Sequence, residues 1–305
     1  MDRGFTLPSF AKINWSLRVL GKRPDGYHEV RTELQTVSLH DELSIDSVDG
    51  RELLFACDDP QVPQGPANLV VRAAELLRQT FGITLGARLR LKKNIPIQAG
   101  LGGGSSNAAV ALIGLSRLWK LPVTPDELID IAAAIGADVP FFLFGGRVLA
   151  TGTGSTISKL TDLPQQHLLI AIPRASMATS ESYRLLDSAA LTSRKAETIL
   201  AGSRRRGQID DSHQLDLNND FEPVIFDREP EIGRARNALL RCGAVGALLA
   251  GSGSSVFGIF EDLKAQTRAL ETIEAEAGWR ISPCVTISRS EYTRAMNLEE
   301  DLRCF

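Results

Sequence analysis

One short segment restricts the fold of this chain more than any other: residues 100–106 hold four glycines in five positions and then two serines. Beyond them Ala108, Leu112, Leu115 and Trp119 recur at helical spacing, which puts the serines at the N-terminus of an amphipathic helix. A glycine turn can aim successive amides at one centre, and a helix N-terminus adds unpaired donors and partial positive charge. The segment therefore predicts an anion cradle, with phosphate as the expected guest. The alternative is a tight turn whose glycines only allow positive φ or close packing.

Two common nucleotide-binding signatures are not matched by this loop. No G-x-x-x-x-G-K-[ST] segment occurs in the chain, and Ser105 occupies the position at which a third glycine would complete G-x-G-x-x-G. Those patterns are typical of P-loop nucleotidases and Rossmann dehydrogenases. The loop therefore indicates phosphate binding without indicating either class.

Residues 5–20 predict a β-strand, in which alternate side chains share a face. Four apolar side chains are expected to face the core and three polar ones the opposite side: Ala11, Ile13, Trp15 and Leu17, then Lys12, Asn14 and Ser16. Three polar residues in line are typical of a strand that borders a cleft. Burial of Lys12 there would require a nearby anion, unless its ammonium reaches water at the end of the alkyl chain.

Asp138 lies two residues after Gly136, where the helix predicted from the Thr124 capping box ends. Its simplest role is to cap that turn. A carboxylate beside an ammonium and a phosphate cradle can also accept a proton from an alcohol, while the ammonium stabilises the charge that develops on oxygen. Spacing along the chain does not show whether Lys12 and Asp138 meet.

Composition excludes several classes of function. The 305 residues include 34 basic and 37 acidic side chains, a formal net charge of −3, which argues against a sequence-independent grip on nucleic acid or an anionic membrane. The Arg204–Arg206 run is most simply solvated surface. The two long uncharged stretches, 94–116 and 242–260, contain glycines and polar residues, so neither predicts a membrane span.

The cysteines and histidines predict no metal or disulfide framework. Four cysteines lie far apart without a C-x-x-C pair, and the four histidines form no H-E-x-x-H, so a structural zinc site is not expected. Unpaired thiols are typical of a reducing compartment, and we expect a cytoplasmic protein.

The chain length predicts about two domains, and we place the division between segments 1–162 and 163–305. Strand-like and helical stretches mix in both segments, which predicts an α+β fold. The predicted elements after the first strand are a strand over 28–39, a helix over 68–81, a strand over 87–92, the helix after the glycine loop, a helix over 124–135, a strand over 167–172, a helix to residue 186, a helical stretch ending at 242, strands over 245–250 and 255–260, a helix over 262–277 and a strand over 280–287.

Several motifs together resemble the GHMP kinase superfamily, named for galactokinase, homoserine kinase, mevalonate kinase and phosphomevalonate kinase. The motifs are Ala11-Lys12-Ile13-Asn14, Pro24-Asp25-Gly26-Tyr27-His28, the segment from Pro96 to Ala109, Gly136-Ala137-Asp138-Val139-Pro140 and Gly251-Ser252-Gly253-Ser254-Ser255. The resemblance implies an N-terminal α/β domain of a kind also found in a ribosomal protein, a C-terminal ferredoxin-like domain, and an active site between them. It further implies transfer of the ATP γ-phosphoryl group, with Mg²⁺, to the 2-hydroxyl of a methylerythritol moiety in isoprenoid precursor biosynthesis.

The resemblance also implies which residues bind ATP and which take part in phosphoryl transfer. Asp138 would be the catalytic base, with Lys12 as its partner near the acceptor oxygen. Asn68 and Lys93 would lie near the adenosine, and the loop Gly251, Ser252 and Gly253 would close over the site. The ATP phosphates would be held by Pro96, Ile97, Gln98, Ala99, Gly100, Leu101, Gly102, Gly103, Gly104, Ser105 and Ser106.

A second group of residues is implied to bind a substrate that carries a cytidine diphosphate group. Tyr27 would stack on the cytosine, His28 would bond its edge and Tyr183 would cover its opposite face, while Asn14 and Thr179 would contact the substrate. An aromatic sandwich with a hydrogen-bonding histidine suits a neutral pyrimidine. Otherwise Tyr27 and His28 only flank a turn, and Tyr183 is a core aromatic.

No metal ligand is placed by the resemblance. Mevalonate kinases use a glutamate whose position in this sequence the motifs do not identify, so Mg²⁺ would be held mostly by ATP phosphates and water. Two other functions stay open: the same superfamily with mevalonate, homoserine or a sugar as acceptor, and a catalytically silent sensor of phosphometabolites. We expect a monomer or weak homodimer.

Overall fold

The computed structural model describes residues 4–175, 177–188, 216–277 and 279–298. The strands are β1 Gly4–Lys22, β2 His28–Val48, β3 Leu53–Cys57, β4 Gly86–Lys92, β5 Arg147–Gly152, β6 Thr156–Lys159, β7 His167–Ile172, β8 Asn218–Asn219, β9 Gly246–Leu249, β10 Val256–Phe260 and β11 Arg280–Val285. The helices are α1 Leu69–Phe81, α2 Gly103–Leu118, α3 Pro125–Ile135, α4 Phe141–Phe144, α5 Thr179–Ser188, α6 Glu222–Arg228, α7 Pro230–Arg241, α8 Leu263–Ala277 and α9 Arg289–Ala295. No helix within these ranges is long and apolar enough to cross a bilayer.

The first sheet is built on a long antiparallel hairpin of β1 and β2. Its strand order is β3-β4-β2-β1-β8, with β5 and β6 attached beside β2. Helix α2 packs on this sheet so closely that a Cβ on Gly114 would overlap Ile45, and most of its residues are buried. The glycine and alanines of α2 permit that approach, and the start of α2 and the glycine loop lie against the middle of β1, at Ser9 and Lys12.

The predicted alternation along β1 is correct only as far as residue 15. Lys12 and Asn14 line a cleft, and Ala11, Ile13 and Trp15 are buried on the opposite side. A β-bulge between Asn14 and Ser16 then adds one residue to β1 relative to β2. One extra residue exchanges the two faces, so Leu17, predicted to point away from the cleft, lines it instead.

The second sheet has the strand order β11-β7-β10-β9, and all its pairings are antiparallel. Along the chain its strands come as β7, helices, β9, β10, helix α8 and β11, a βαββαβ arrangement in the order 4-1-3-2. This is the ferredoxin-like topology, and it confirms the predicted α+β fold. The predicted helical stretch before residue 242 is two helices, because Glu229 is not helical (φ −130°, ψ 80°) and Pro230 begins a new helix.

The two sheets share a buried core on the side of β1 that faces away from the cleft. Trp15 on β1 packs edge-to-face on Phe257 of β10, with ring centroids 5.7 Å apart. Strand β8 pairs with β1 in parallel, and Tyr292 of α9 is buried in the core of the first sheet. Segments beyond residue 163 therefore complete the first sheet and its core, and the division at 162/163 stays a prediction. The Arg204–Arg206 run lies outside the described residues.

Candidate active site

A cleft of about 1000 Å³ runs between the first sheet, two glycine loops and helix α5. Most of the predicted site residues line it: Lys12, Asn14, Tyr27, His28, Asn68, Lys93, the run from Pro96 to Ser105, Asp138, Thr179, Tyr183, Gly251 and Ser252. Ser106 and Gly253 lie behind its wall. The hydroxyl of Ser106 is fully buried and accepts a hydrogen bond from Ser9 at 2.9 Å.

Lys12 and Asp138 meet in this cleft. Lys12 Nζ lies 3.7 Å from Asp138 Oδ2 and donates to Asn14 Oδ1 at 2.9 Å. Asn14 in turn donates to the hydroxyl of Thr32 at 2.7 Å, and that hydroxyl donates to a backbone carbonyl of β1. The chain of hydrogen bonds orients the amide of Asn14, which leaves its oxygen to hold the ammonium.

The environment of Lys12 differs from that of its partner. Burial lowers the pKa of the Lys12 ammonium, and the negative charge of Asp138 partly opposes that shift. The side chain of Lys12 is only 5% exposed, whereas that of Asp138 is 42% exposed. The carboxylate is therefore open to a ligand in the cleft, while the ammonium is held beneath it.

The first glycine loop connects directly to Lys12. Gly102 has a left-handed conformation, with φ 71°, and precedes the first turn of α2. The backbone amide of Lys12 donates to the carbonyl of Leu101 at 3.0 Å. A Cβ on Gly102 would come within 2.8 Å of Phe142 and 3.0 Å of the Lys12 side chain, so only glycine lets the loop approach this closely. The unpaired amides of the first turn of α2 lie beside the cleft, as an anion cradle requires.

The second glycine loop packs on the first through backbone atoms. The amide of Ser255 donates to the carbonyl of Ala99 at 3.2 Å, and a Cβ on Gly251 would lie 3.0 Å from Lys12 Nζ. Asn219 anchors this loop by donating to the carbonyls of Leu249 and Gly251 at 2.9 and 2.7 Å. Both loops therefore contact Lys12, the first at its backbone and alkyl chain and the second at its ammonium. Asn219 is a supporting residue that the sequence did not indicate.

A buried carboxylate organises the glycine-loop end of the cleft, by which we mean residues 93–107. Asp41 is fully buried and pairs with the ammonium of Lys93. It also accepts hydrogen bonds from the amides of Asn94 and Ile95, at 2.7 and 2.8 Å, and from Asn107 Nδ2 at 2.8 Å. All its neighbours are donors, so Asp41 ties the chain before the loop to the helix after it.

Asn68 lies beside this end of the cleft with both polar atoms of its amide in use. Its oxygen accepts from the amide of Val70, which caps α1, and its nitrogen donates to the carbonyl of Pro63 at 2.9 Å. Apolar side chains line the cleft nearby, including Val62, Leu69 and Leu91. The amide thus holds the 63–70 turn that forms one wall of this apolar region.

The α5 end of the cleft is formed by Lys22, Tyr27, His28, Tyr183 and Asp187. The side chain of Tyr27 is 66% exposed. The rings of His28 and Tyr183 stack on each other, with centroids 4.6 Å apart and an interplanar angle of 25°. Burial and the charge of Asp138 raise the pKa of Tyr183 to about 12, so the phenol stays neutral. Stacking of Tyr183 on His28 is a contact that the sequence reasoning did not foresee.

Thr179 begins α5 and contacts the second glycine loop. The hydroxyl of Ser252 donates to Thr179 Oγ1 at 3.1 Å, and Ser182, one turn later, donates to the carbonyl of Ser252 at 2.9 Å. Helix α5 and the second loop are therefore linked beside the Lys12 ammonium. Thr179 and Asn14 consequently lie in the part of the cleft between its two ends.

The side-chain oxygens that line the cleft are suitable ligands for a Mg²⁺ ion that is bound to a nucleotide. Among the described residues, no group of three or more His, Cys, Asp or Glu side chains could hold a metal. Ser105 and Asp138 nevertheless place a hydroxyl and a carboxylate on the cleft wall near the cradle. Mg²⁺ is commonly bound by one or two protein oxygens together with substrate phosphates, and the residues present fit that mode.

A phosphate cradle beside an ammonium and an open carboxylate, set between an α/β sheet and a ferredoxin-like sheet, defines the class of small-molecule kinases. Residues 68–146 match the family described as GHMP kinases N terminal domain, and residues 204–278 match GHMP kinases C terminal. These matches and the fold agree with the expected resemblance.

Curated relatives and a solved structure indicate which family within the GHMP kinases this chain is similar to. The chain is 42% identical over 256 residues to 4-diphosphocytidyl-2-C-methyl-D-erythritol kinase of Pelotomaculum thermopropionicum, which covers 84% of this chain and 88% of the relative. It is 40% identical to the enzyme of that name from Geobacter sp., and the match covers 91% of this chain and 97% of the relative. A crystal structure of 4-(cytidine 5'-diphospho)-2C-methyl-D-erythritol kinase superimposes with a TM-score of 0.75 at 32% identity, covering 92% and 99%.

The chain belongs to the GHMP kinases and, among them, to the family of 4-diphosphocytidyl-2-C-methyl-D-erythritol kinases. It is an ATP-dependent phosphotransferase. A homoserine kinase from Cytophaga hutchinsonii also superimposes, with a TM-score of 0.69 at 20% identity over 94% of this chain and 96% of that one. At that identity the likeness concerns the fold alone.

Proposed function

We propose that this protein transfers the γ-phosphoryl group of ATP to the 2-hydroxyl of 4-diphosphocytidyl-2-C-methyl-D-erythritol, giving the 2-phosphate and ADP. The observation that carries the proposal is the 3.7 Å approach of Lys12 Nζ to Asp138 Oδ2 in a cleft lined by the glycine loop. The names of the relatives support the choice of acceptor. The reaction supplies a phosphorylated isoprenoid precursor.

In the proposed mechanism Asp138 accepts the proton of the acceptor hydroxyl as its oxygen attacks the γ-phosphorus. The 42% exposure of this carboxylate supports the proposal, because a general base must be reached by the substrate hydroxyl. The carboxylate of Asp138 favours the charged form of Lys12, and the ammonium stabilises the negative charge on the attacking oxygen and the transferred group. The bond from the γ-phosphorus to the β,γ-bridging oxygen breaks, and ADP leaves with the electron pair.

The glycine loops position the donor in this proposal. The segment from Pro96 to Ser106 holds the phosphates through backbone amides of its glycine turn, and the loop of Gly251, Ser252 and Gly253 closes over the same site. Asn68 and Lys93 lie near the adenosine. The Ser105 hydroxyl would help to hold Mg²⁺ together with the ATP phosphates and water, and the ion would neutralise phosphate charge there.

The α5 end takes the cytidine in this proposal. Tyr27 stacks on the cytosine, His28 bonds its edge, and Tyr183 covers the other face. Asn14 and Thr179, between the two ends, contact the methylerythritol part. We also propose a cytoplasmic monomer or weak homodimer that engages neither nucleic acid nor membrane.

A coupled assay of ADP release tests donor and acceptor together. ATP is offered with the cytidyl methylerythritol, mevalonate, homoserine or galactose, each at the same concentration. We expect ADP release only with the cytidyl compound, and a new ³¹P resonance of a monoester on the carbon that bears the 2-hydroxyl. Release with one of the other alcohols instead, or tight ATP binding without any turnover, would replace the proposal by another acceptor or by a sensor.

A further inference from the structure

Asp187 connects two elements at the α5 end of the cleft, and the proposed mechanism does not use it. Its Oδ1 lies 2.7 Å from His28 Nε2, and its Oδ2 lies 2.7 Å from Lys22 Nζ. Lys22 ends β1 and His28 begins β2, so one carboxylate on α5 ties both sides of the intervening turn. The Asp187 side chain is 25% exposed, and it lines the cleft.

The contact between Asp187 and His28 determines where the imidazole carries its hydrogen. An ionised carboxylate only accepts hydrogen bonds, so His28 Nε2 must donate. The partner of one ring nitrogen sets the state of the other, and Nδ1 of the neutral ring is therefore an acceptor. Lys22 and His28 both lower the pKa of Asp187 by hydrogen bonding to it, which keeps this carboxylate ionised. Within the part of the chain that the structure describes, Nδ1 has no hydrogen-bond partner.

The ring is also restrained as a whole. Its side chain is only 8% exposed, and Tyr183 covers one face at 4.6 Å. Tyr183 and Asp187 are four residues apart on α5, so they lie on one face of that helix. A single helical turn thus supplies both the stacking partner and the hydrogen-bond acceptor of His28.

We infer that Asp187 is a positioning residue that makes the α5 end selective for cytosine over uracil. The inference rests on the proposed function, in which His28 bonds the edge of the base. Cytosine presents an amino donor at C4, whereas uracil presents a carbonyl acceptor there. When His28 Nδ1 is an acceptor, it bonds the amino group of cytosine and repels the carbonyl of uracil. The carboxylate of Asp187 keeps Nδ1 an acceptor by taking the hydrogen bond from Nε2.

Binding of two nucleotides to the full chain tests this inference. CDP and UDP are titrated calorimetrically into wild type, Asp187→Ala and the matched control Asp216→Ala, whose carboxylate pairs with Arg18 at 2.6 Å and does not line the cleft. We expect wild type and Asp216→Ala to prefer CDP, and Asp187→Ala to lose about fivefold of that preference, the usual value of one hydrogen bond. ADP should bind all three proteins alike.

Two further measurements separate this role from a merely structural one. In ¹⁵N spectra of the histidine side chains, His28 of wild type should carry its hydrogen on Nε2, and Asp187→Ala should show a mixture of both tautomers. Lys22→Met removes the other partner of Asp187 but leaves the bond to His28, so it should keep the preference for CDP. A role limited to charge balance would make Lys22→Met and Asp187→Ala alike.

The outcomes distinguish this inference from the proposed function. Equal binding of CDP and UDP to wild type, failure of CDP to bind, an unchanged preference in Asp187→Ala, or a wild-type His28 with its hydrogen on Nδ1 would each overturn the inference. A preference that behaves as expected, together with no ADP release from the cytidyl substrate, would overturn the proposed reaction and leave the role of Asp187 in place.

Discussion

The two ends of the cleft are each organised by one carboxylate, but in different ways. At the glycine-loop end Asp41 is fully buried and receives an ammonium, two backbone amides and an amide side chain, from residues 93–107. At the α5 end Asp187 is partly exposed and receives only two side chains, Lys22 and His28. The first arrangement fixes backbone, and the second fixes side chains.

This difference matches what each end is proposed to bind. Phosphates are held by main-chain amides whose positions must be rigid, and a buried carboxylate with several donors provides that rigidity. A base is recognised by ring faces and edges, which side chains supply. Between the ends, Lys12 contacts both glycine loops and Asp138, so a change there is expected to affect chemistry and leave both binding regions intact.

The largest effect on turnover is expected from Asp138, which lies between the two ends of the cleft. Asp138→Asn keeps the shape of the side chain but removes its capacity to accept a proton, and we expect kcat to fall about a thousandfold, within the usual range for a general base. KM for both substrates and the Tm should change little, because this side chain is 42% exposed. Asp130→Asn, on the exposed side of α3, is the control for loss of one negative charge. Wild-type turnover of Asp138→Asn would remove the carboxylate from the mechanism.

A smaller but distinct effect is expected at the glycine-loop end. Asp41→Asn turns an amide towards neighbours that are all donors and leaves the Lys93 ammonium without its partner, which costs about 3 kcal/mol of unfolding free energy. Denaturant unfolding and KM for ATP, which should rise, are the measurements. The adjacent Glu42→Gln breaks only an exposed pair with Lys92, 3.0 Å long, and should cost less than about 1 kcal/mol. Equal costs for the two variants would contradict the organising role of Asp41.

The mildest effect on the protein itself is expected at the α5 end. Tyr27→Ala removes a side chain that is 66% exposed, so the Tm should not change. Loss of stacking on the base should raise KM for the cytidyl substrate about tenfold, with KM for ATP unchanged. Tyr27→Phe keeps the ring and should behave as wild type. A lowered Tm, or a change in KM for ATP, would mean that the two ends are not independent.

Much of the site could be predicted from the sequence because its parts are local. A few consecutive residues are enough to recognise the glycine loop, the helix after it and the polar positions of β1. Asp41 escaped notice because it lies in β2 beyond the predicted end at residue 39, and its partners are more than fifty residues further along the chain. A charged residue at a core-facing position of that strand was the available signal.

Contacts that depend on how segments meet in space could not be predicted in the same way. The bulge at Trp15 moves Leu17 to the opposite face of the sheet, and no local sequence pattern in β1 predicts this bulge. Asp187 was within reach, since it follows Tyr183 by four residues and so shares its helical face. Its pairing with His28, 159 residues away, needs the fold.

The central claim is that Lys12 and Asp138 act as one unit on a single transferred phosphoryl group. A double-mutant cycle on kcat with Lys12→Met, Asp138→Asn and the combined variant measures this most directly. We predict that the combined variant is no slower than the slower single variant, because either change disables the same unit. Losses that multiply in full would show two independent contributions and contradict the account.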